Sequence, residues 1–158
     1  MIAERLASER LRLILVTAAD AADMRAGRRQ DRWHPDYPRQ DDVDAAVFVR
    51  DGNPWGPRHV VLGMQAVGSI GFFGPPEGDP PEVEVGYGLV ADARGRGVAT
   101  EALRCVLAET DRVGVRVRAR TEPGNRAGVR VLAKAGFTDL RGSDDEGLLV
   151  MARPVPRA

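Results

Sequence analysis

The chain has very few cysteines and lysines: Cys105 is its one cysteine, and Lys134 is its one lysine among 23 basic side chains. A single cysteine cannot form an internal disulfide, so this content excludes a disulfide-stapled scaffold and favours a reducing, cytoplasmic setting. Cys105 stands among Ala102, Leu103 and Val106, a pattern typical of a small side chain packed within a helix. We therefore expect no catalytic thiol.

Long apolar runs and an excess of one charge are lacking as well. No stretch reaches the roughly 20 apolar residues that a membrane-spanning helix needs. Glu4, Arg5 and Arg12 interrupt the first apolar segment, unlike a secretory signal. Basic and acidic side chains both number 23, whereas a nucleic-acid-binding surface shows a basic excess. We expect one domain over residues 1–158, with neither a membrane nor a nucleic acid as partner.

The most informative segment is residues 94–100, which read Arg-Gly-Arg-Gly-Val-Ala-Thr. The segment follows a strand-like run at residues 83–90 and opens a helix-like run at residues 98–111. Glycines let a ligand approach the main chain, and the free N–H groups and dipole of a helix N-terminus favour an anion. Arg94 and Arg96 add forked donors suited to phosphate. The segment therefore predicts a site for a phosphate-bearing cofactor.

The spacing of the glycines separates the candidate cofactors. A Walker A loop needs a lysine after its glycines, and this segment has none. The dinucleotide fingerprint G-x-G-x-x-G/A is matched at Gly95 and Gly97, but its third small position is Thr100. On these residues alone, a tight strand-to-helix turn that binds nothing is the further alternative.

Four segments resemble the GNAT N-acetyltransferase family, in the family's order. Residues 94–99 match the (Q/R)-x-x-G-x-(G/A) loop, which grips the pyrophosphate of acetyl-coenzyme A (acetyl-CoA). Residues 125–137 resemble the late helix, N-x-x-S-x-x-V-L-x-K-x-G-F. Residues 84–90 and 8–13 resemble the E-I-G-Y-x-L and T-E-R-L-x-L strands of one subgroup. That subgroup is related to the ribosomal-protein N-terminal acetyltransferases (RimJ- and RimL-like).

Apolar periodicity and turn signals predict an α+β arrangement. Strands are expected at residues 10–16, 58–62, 66–73, 82–90, 115–121, 137–141 and 148–152. Helices are expected at residues 18–26 (after a Thr17 N-cap), 41–50, 98–111 and from an Asn125 N-cap to Gly136. The resemblance implies the GNAT acyl-CoA N-acyltransferase fold: a central mixed β-sheet, flanked by helices, that splays open after the strand ending at Val90.

The resemblance also implies acetyl-CoA as co-substrate and a set of residues that contact it. A backbone N–H of the strand before the loop would bind the thioester carbonyl, and the asparagine of the late helix would touch the pantetheine arm. The predicted cofactor-binding residues are Tyr87, Leu89, Val90, Arg94, Gly95, Arg96, Gly97, Val98, Ala99, Thr100 and Asn125. Arg130 and Lys134 are either further phosphate contacts or ordinary surface charges. We expect no metal site, because His34 and His59 lack metal-ligand spacing.

Acetyl transfer requires a neutral amine, so a carboxylate near the cleft is expected to take its proton, directly or through one water. Glu84 matches the glutamate of the E-I-G-Y pattern and is the predicted catalytic base. Glu82, two residues earlier on the same strand face, is the second choice. The alternative for Glu84 is a structural carboxylate, either solvated or paired with a neighbouring arginine.

The family's usual proton donors to the departing thiolate are missing. Many members carry a tyrosine seven residues beyond the asparagine of the late helix, where this chain has Leu132. Others carry a serine three residues beyond it, where this chain has Gly128. Water or Tyr87 is left to protonate the thiolate.

The resemblance implies that the acceptor, a small-molecule or peptide amine, enters opposite the cofactor, near residues 32–38 and 53–57. Trp33, Tyr37 and Trp55 there are either an amphipathic wall for the acceptor or packing anchors. The chain itself is expected to be a monomer or a homodimer.

Two functional classes stay open at this point. The favoured hypothesis is an acetyl-CoA-dependent N-acetyltransferase that acts by direct attack in a ternary complex. The alternative is a non-catalytic acyl-CoA-binding or regulatory domain, which the residues at positions 128 and 132 favour. A nucleotide-dependent oxidoreductase is a third class, opposed by Thr100 and by the lack of a second βαβ half.

Overall fold

A computed structural model describes residues 1–154, and in this part of the chain one sheet of eight strands packs against four helices. The strands are β1 (Arg5–Ala7), β2 (Leu11–Leu15), β3 (Arg58–Leu62), β4 (Gln65–Phe72), β5 (Glu82–Leu89), β6 (Arg116–Thr121), β7 (Asp139–Ser143) and β8 (Leu149–Ala152). The helices are α1 (Ala18–Ala26), α2 (Gln40–Ala45), α3 (Val98–Arg112) and α4 (Arg126–Lys134), with 3-10 turns at Ala46–Phe48 and Ala91–Ala93.

The sheet is mixed, as predicted. Its strand order is β1-β2-β3-β4-β5-β6-β8-β7, and all neighbours are antiparallel except β5 and β6, which are parallel. A parallel pair needs a crossover connection, and α3 with its preceding loop supplies it. The one parallel junction therefore lies beside residues 94–100, which we call the glycine loop.

Local chemistry sets the ends of the helices. Thr17 caps α1 by accepting a hydrogen bond from the Asp20 backbone N–H, and Gly27 ends the helix with a left-handed φ of 69°. The Asn125 side chain caps α4 by accepting from the Gly128 backbone N–H at 2.9 Å. These caps confirm the predicted start of both helices and the predicted end of α1, whereas α4 ends at Lys134, two residues before the predicted Gly136.

The apolar face of α3 forms much of the core on one side of the sheet. Ala102, Leu103, Val106 and Thr110 recur at helical spacing and are all buried. The helix packs against β2, β5 and β6, so it fixes the glycine loop relative to β5.

Two elements differ from the prediction. The strand β1 was not expected, because three residues are too few for a periodic pattern. The helix expected over residues 41–50 ends at Ala45, and the following 3-10 turn brings Ala46 and Val49 into the core. None of the helices within residues 1–154 has both the length and the apolar character needed to cross a bilayer.

Candidate active site

A cleft opens between β5 and β6. The two strands pair only from Glu82 opposite Arg116 to Glu84 opposite Arg118. Beyond this point they separate, which leaves Val85–Leu89 as one wall of a V-shaped opening. This is the splayed sheet that the family resemblance implies.

The β5 backbone presents hydrogen-bonding groups to this cleft. On the β4 side, the Glu84 carbonyl accepts from the Phe73 N–H at 3.0 Å, and the Val90 N–H donates to the Val67 carbonyl at 2.8 Å. Because backbone groups alternate sides along a strand, the N–H and C=O groups of Val85, Tyr87 and Leu89 face away from β4, into the cleft. The predicted amides near Tyr87 and Leu89 are therefore aimed at the space between the strands.

The glycine loop presents free amides at the start of α3. Gly95 and Gly97 adopt left-handed φ angles of 75° and 74°, and Gly97 is the N-cap residue of the helix. Among residues 1–154, no protein oxygen accepts a hydrogen bond from the backbone N–H groups of residues 95–100. Six consecutive donors at a helix N-terminus form a strong anion site, because the helix dipole adds to their own partial charge.

The two predicted phosphate-binding arginines are each tied by one hydrogen bond. Arg94 Nε donates to the Leu89 carbonyl at 3.1 Å, and Arg96 Nη2 donates to the Asp92 carbonyl at 3.2 Å. A guanidinium has five N–H donors, so both side chains keep donors for a ligand. The bond to Leu89 also ties the loop to the end of β5.

A channel of about 680 Å³ runs from Tyr87 along the glycine loop to α4; we call it the cofactor channel. Nine of the predicted cofactor-binding residues line it: Tyr87, Leu89, Arg94, Gly95, Gly97, Val98, Ala99, Thr100 and Asn125. Arg130 and Lys134 also face the channel, which favours the phosphate-contact interpretation of these two cations.

Two predicted cofactor residues do not line the channel. Val90 is 1 % exposed, its N–H is bonded to Val67 and its carbonyl accepts from Ala93, so it is a core residue that does not face the channel. Arg96 offers the loop only its backbone amide, and its side chain turns toward Asp92. Arg39 lines the channel as well, and no motif in the sequence pointed to it.

Glu84 lies where β5 and β6 part. It is 8 % exposed, and its carboxylate binds Arg120 Nε at 3.0 Å and Arg118 Nε at 3.4 Å. Glu82, on the same face, binds Arg118 and Arg141, and the hydrogen bond from Arg141 lowers the pKa of Glu82 to about 2. Both carboxylates thus join β5 to its neighbours, and the role of Glu84 as base stays a prediction.

Glu84 also lines a cavity of about 270 Å³ inside the cleft, which we call the inner cavity. Tyr87, Asn125, Gly128 and Leu132 face the same space. Gly128 and Leu132, which stand where the family carries its proton donors, therefore do border the predicted reaction site. The Asn125 amide caps its own helix and also lines the cavity, so the N-cap role is confirmed and the pantetheine contact stays a prediction.

Two residues that carry hydroxyl groups border the inner cavity. Tyr87 lines this cavity and the cofactor channel, and burial raises the pKa of Tyr87 to about 12. Thr121 lies at the end of β6, and its Oγ1 is 3.1 Å from the position that a Cβ at residue 128 would occupy. A hydroxyl from β6 thus lies beside the place where the family carries a serine on α4. Thr121 was missed because strand residues outside a motif give no signal.

A third space, about 370 Å³, lies between α2, β4 and β5; we call it the outer cavity. It shares Arg39, Asp41 and Tyr87 with the cofactor channel, so the two spaces meet above β5. Arg39 is held there by Asp42, whose buried carboxylate also accepts from the Ser69 hydroxyl at 2.5 Å.

The aromatic residues expected near the acceptor have a different role. Trp33 and Tyr37 are 4 % and 0 % exposed, so the amphipathic wall is wrong for these two and the packing interpretation is confirmed. The Tyr37 hydroxyl contacts His59 Nδ1 at 2.7 Å, and His59 Nε2 contacts Asp20 at 2.9 Å. The hydrogen bond from His59 holds the pKa of Asp20 well below its usual range. Trp55 is half-buried, and its ring packs 5.3 Å from the ring of Phe72.

His34 has acidic neighbours that its sequence spacing did not reveal. Its Nε2 lies 3.1 Å from an Asp92 carboxylate oxygen, and its Nδ1 accepts from the Asp36 backbone N–H at 3.0 Å. This contact joins the loop before α2 to the turn before the glycine loop.

Comparison with known proteins gives one family and many solved structures. The family model for the GNAT acetyltransferase domain matches residues 10–138. No curated protein sequence matches the chain.

Three solved structures illustrate the likeness. An acetyltransferase from Agrobacterium tumefaciens str. C58 is 24 % identical with a TM-score of 0.68, covering 98 % of this chain and 96 % of that chain. The ribosomal-protein-S5-alanine acetyltransferase from Vibrio fischeri is 17 % identical with a TM-score of 0.69, covering 96 % of both chains. The microcin C7 self-immunity acetyltransferase MccE, solved with acetyl-CoA and AMP, is 16 % identical with a TM-score of 0.65, covering 92 % and 93 %. These matches confirm the predicted fold.

Proposed function

The chain belongs to the GNAT acetyltransferase family, an acetyl-CoA-dependent family of acyltransferases, and we propose that it transfers the acetyl group to a primary amine within a ternary complex. The amine attacks the thioester carbonyl directly, without an acetyl-enzyme intermediate. The acceptor is a small molecule or the N-terminus of a peptide or protein.

The observation that carries this proposal is the row of six backbone amides at residues 95–100, at one end of the cofactor channel. Within residues 1–154, no protein oxygen accepts a hydrogen bond from them. We assign the pyrophosphate of acetyl-CoA to these donors, with Arg94 and the α4 cations Arg130 and Lys134 nearby. The pantetheine arm then runs along β5 past Asn125 toward Tyr87. This path places the thioester where the channel, the inner cavity and the outer cavity meet.

The backbone of β5 supplies the electrostatic part of the mechanism. Negative charge develops on the carbonyl oxygen as the amine attacks, and a fixed N–H aimed at this oxygen lowers the barrier. The N–H of Tyr87 or Leu89 is placed for this role because both face the cleft. No charged side chain is needed at that point.

Proton transfer involves the carboxylate and hydroxyl groups around the thioester. Glu84 is the proposed base, and because its two oxygens bind arginines it acts through a water that reaches the inner cavity. The hydroxyls of Thr121 and Tyr87 are the proposed hydrogen-bond donors to the departing thiolate. Burial raises the pKa of Tyr87 to about 12, so its hydroxyl keeps a proton to donate near neutral pH.

Replacement of both usual donors by Gly128 and Leu132 favours one competing function, an acyl-CoA-binding domain without catalysis. A calorimetric titration with acetyl-CoA, NAD and ATP tests the cofactor, and we expect heat of binding for acetyl-CoA alone. Thioester cleavage with a panel of primary amines then tests catalysis. Binding without amine-dependent cleavage would establish the competing function, and no binding of acetyl-CoA at millimolar concentration would remove both.

A further inference from the structure

We infer that the acceptor is a primary amine with an apolar group, aromatic or branched, attached next to the ammonium. This inference rests on the proposed function and assigns the outer cavity as the acceptor site. The chemistry is common to a small amine and to a peptide whose first residue is apolar.

The outer cavity is placed to deliver an amine to the thioester. It meets the cofactor channel at Arg39, Asp41 and Tyr87, and Tyr87 belongs to the strand whose amides face the cleft. Its volume of about 370 Å³ is near the lower end of the range for small-ligand pockets, roughly 300–1,000 Å³. One amino-acid residue or a small aromatic amine fits such a space, whereas a folded segment does not.

Carboxylates on α2 give the cavity a negative charge. Asp41, Asp42 and Asp44 line it together with one cation, Arg39, which is bonded to Asp42. Asp44 accepts a hydrogen bond from neutral Gln40, and no cation pairs with Asp41 or Asp44 among residues 1–154. Two uncompensated carboxylates therefore attract an ammonium group and repel an acceptor with an acidic group beside its amine.

An exposed aromatic pair forms the apolar wall of the same cavity. The rings of Phe48 and Phe73 lie 5.4 Å apart at 72°, yet the two residues are 36 % and 45 % exposed. Phe73 lies directly over Gly86: a Cβ at residue 86 would come within 2.6 Å of its ring. Because Gly86 has no side chain, the Phe73 ring packs on its backbone and presents a large apolar surface beside Tyr87. An apolar group on the acceptor would bury this surface.

This wall could not be predicted from the sequence, because Phe48 follows α2 and Phe73 follows β4, 25 positions later. Trp33 and Tyr37, for which an acceptor wall was one of two alternatives, take no part in it. Its position next to the carboxylates sets the order of groups in the acceptor: ammonium first, apolar group beside it.

The test uses amines of similar basicity that differ in the neighbouring group. Phenylalaninamide, leucinamide, glycinamide and aspartic acid α-amide are compared as acceptors, together with tripeptides that begin with the same residues. We expect kcat/KM for phenylalaninamide and leucinamide to exceed that for glycinamide by about tenfold or more. Aspartic acid α-amide should be the poorest acceptor. If only the tripeptides show this order of kcat/KM, the acceptor is a protein N-terminus. If only the amino-acid amides show it, the acceptor is a small amine.

Variants locate the preference. Phe73→Ala should lower kcat/KM for phenylalaninamide by about tenfold and change kcat/KM for glycinamide by less than about threefold. Asp44→Asn should lower kcat/KM for every cationic amine and weaken the discrimination against aspartic acid α-amide. Leu140→Ala is the matched control, because Leu140 is an apolar side chain that is 62 % exposed on β7, away from the outer cavity.

Equal kcat/KM for glycinamide and phenylalaninamide in the wild type would overturn the inference. So would a Phe73→Ala variant that lowers both by the same factor. These failures differ from failure of the proposed function, in which acetyl-CoA binds but no amine of the panel is acetylated. In that case the proposed function and the assignment of the outer cavity as the acceptor site are both overturned.

Discussion

The guanidinium of Arg39 lies against the backbone of Gly88, so close that a Cβ at residue 88 would be 2.1 Å from Nη2. The same guanidinium binds Asp42 through Nε and Nη2, at 3.2 Å and 3.1 Å. Through this contact α2, which carries the carboxylates of the outer cavity, is joined to β5, which carries the cleft-facing amides.

Gly88→Ala should separate these two elements. Since the methyl group would displace a guanidinium that Asp42 holds in place, we expect a loss of about 1–3 kcal/mol in the free energy of unfolding. The KM for the amine should rise, because Arg39 borders the outer cavity. Urea denaturation and steady-state kinetics measure the two effects. Gly124→Ala is the control, since nothing lies within 4 Å of a Cβ there. Equal behaviour of both variants would show that Arg39 moves aside without cost.

Gly97→Ala should weaken acetyl-CoA binding. The residue has φ of 74°, and an alanine there costs about 1–2 kcal/mol or turns the free amides out of line. We expect the Kd from calorimetric titration to rise by about tenfold or more. Gly63→Ala, with φ of 62° at the turn between β3 and β4, should lose similar stability and keep its affinity. A Gly97→Ala variant with wild-type Kd would contradict the assignment of the pyrophosphate to these amides.

Glu84→Gln should lower kcat by about 100-fold if the carboxylate acts as base. Glu82→Gln is the matched control, because Glu82 shares Arg118 as a partner but does not line the inner cavity. We expect the control to retain most of its turnover. If both variants lose the same amount, or if Glu84→Gln keeps wild-type turnover across the pH range, the arginine pairs are the whole role of Glu84.

Thr121→Val should slow thiolate departure. The substitution keeps the shape and removes the hydroxyl beside Gly128, so we expect kcat to fall by about 10-fold or more with little change in the KM for acetyl-CoA. Thr121→Ser should restore most of the rate. A loss that serine does not rescue would point to packing rather than to hydrogen bonding.

The acid limb of the stability curve should depend on Glu82. Its pKa falls from 4.5 to about 2 on folding, chiefly because Arg141 donates to it. A lowered pKa means that the unfolded chain binds the proton first, so this contribution is complete above about pH 4.5 and is lost as the pH falls toward 2. Glu82→Gln should therefore reduce the pH dependence of the free energy of unfolding between about pH 2 and 4.5, as measured by denaturant titrations. Glu146→Gln, at an exposed position, should leave the slope unchanged.

The sequence predicted the parts of the site that depend on local backbone. Gly97 at the start of α3 and Asn125 at the start of α4 have chemistry that acts within a few residues, so their roles could be inferred without the fold. The β5 strand and the splay followed from the family motifs. Most of the predicted cofactor residues do line one channel for this reason.

Relationships between distant segments could not be predicted. The pairing of Glu84 with Arg118 and Arg120 depends on the register of β5 and β6, which no local pattern fixes. Val90 directly follows Leu89, whose backbone groups face the cleft. Because backbone groups alternate sides along a strand, the Val90 N–H faces β4 and donates to the Val67 carbonyl. The burial of Tyr37 could not be predicted either, because the partner of its hydroxyl, His59, lies 22 residues away in the sequence.

Lys134, on the wall of the cofactor channel, has a consequence for the chain's own chemistry. A protein that holds an activated thioester also exposes its own nitrogen nucleophiles to it. The other basic side chains are arginines, which stay protonated and do not attack carbonyl groups. Lys134 is therefore the single ε-amine of the sequence that self-acetylation could modify.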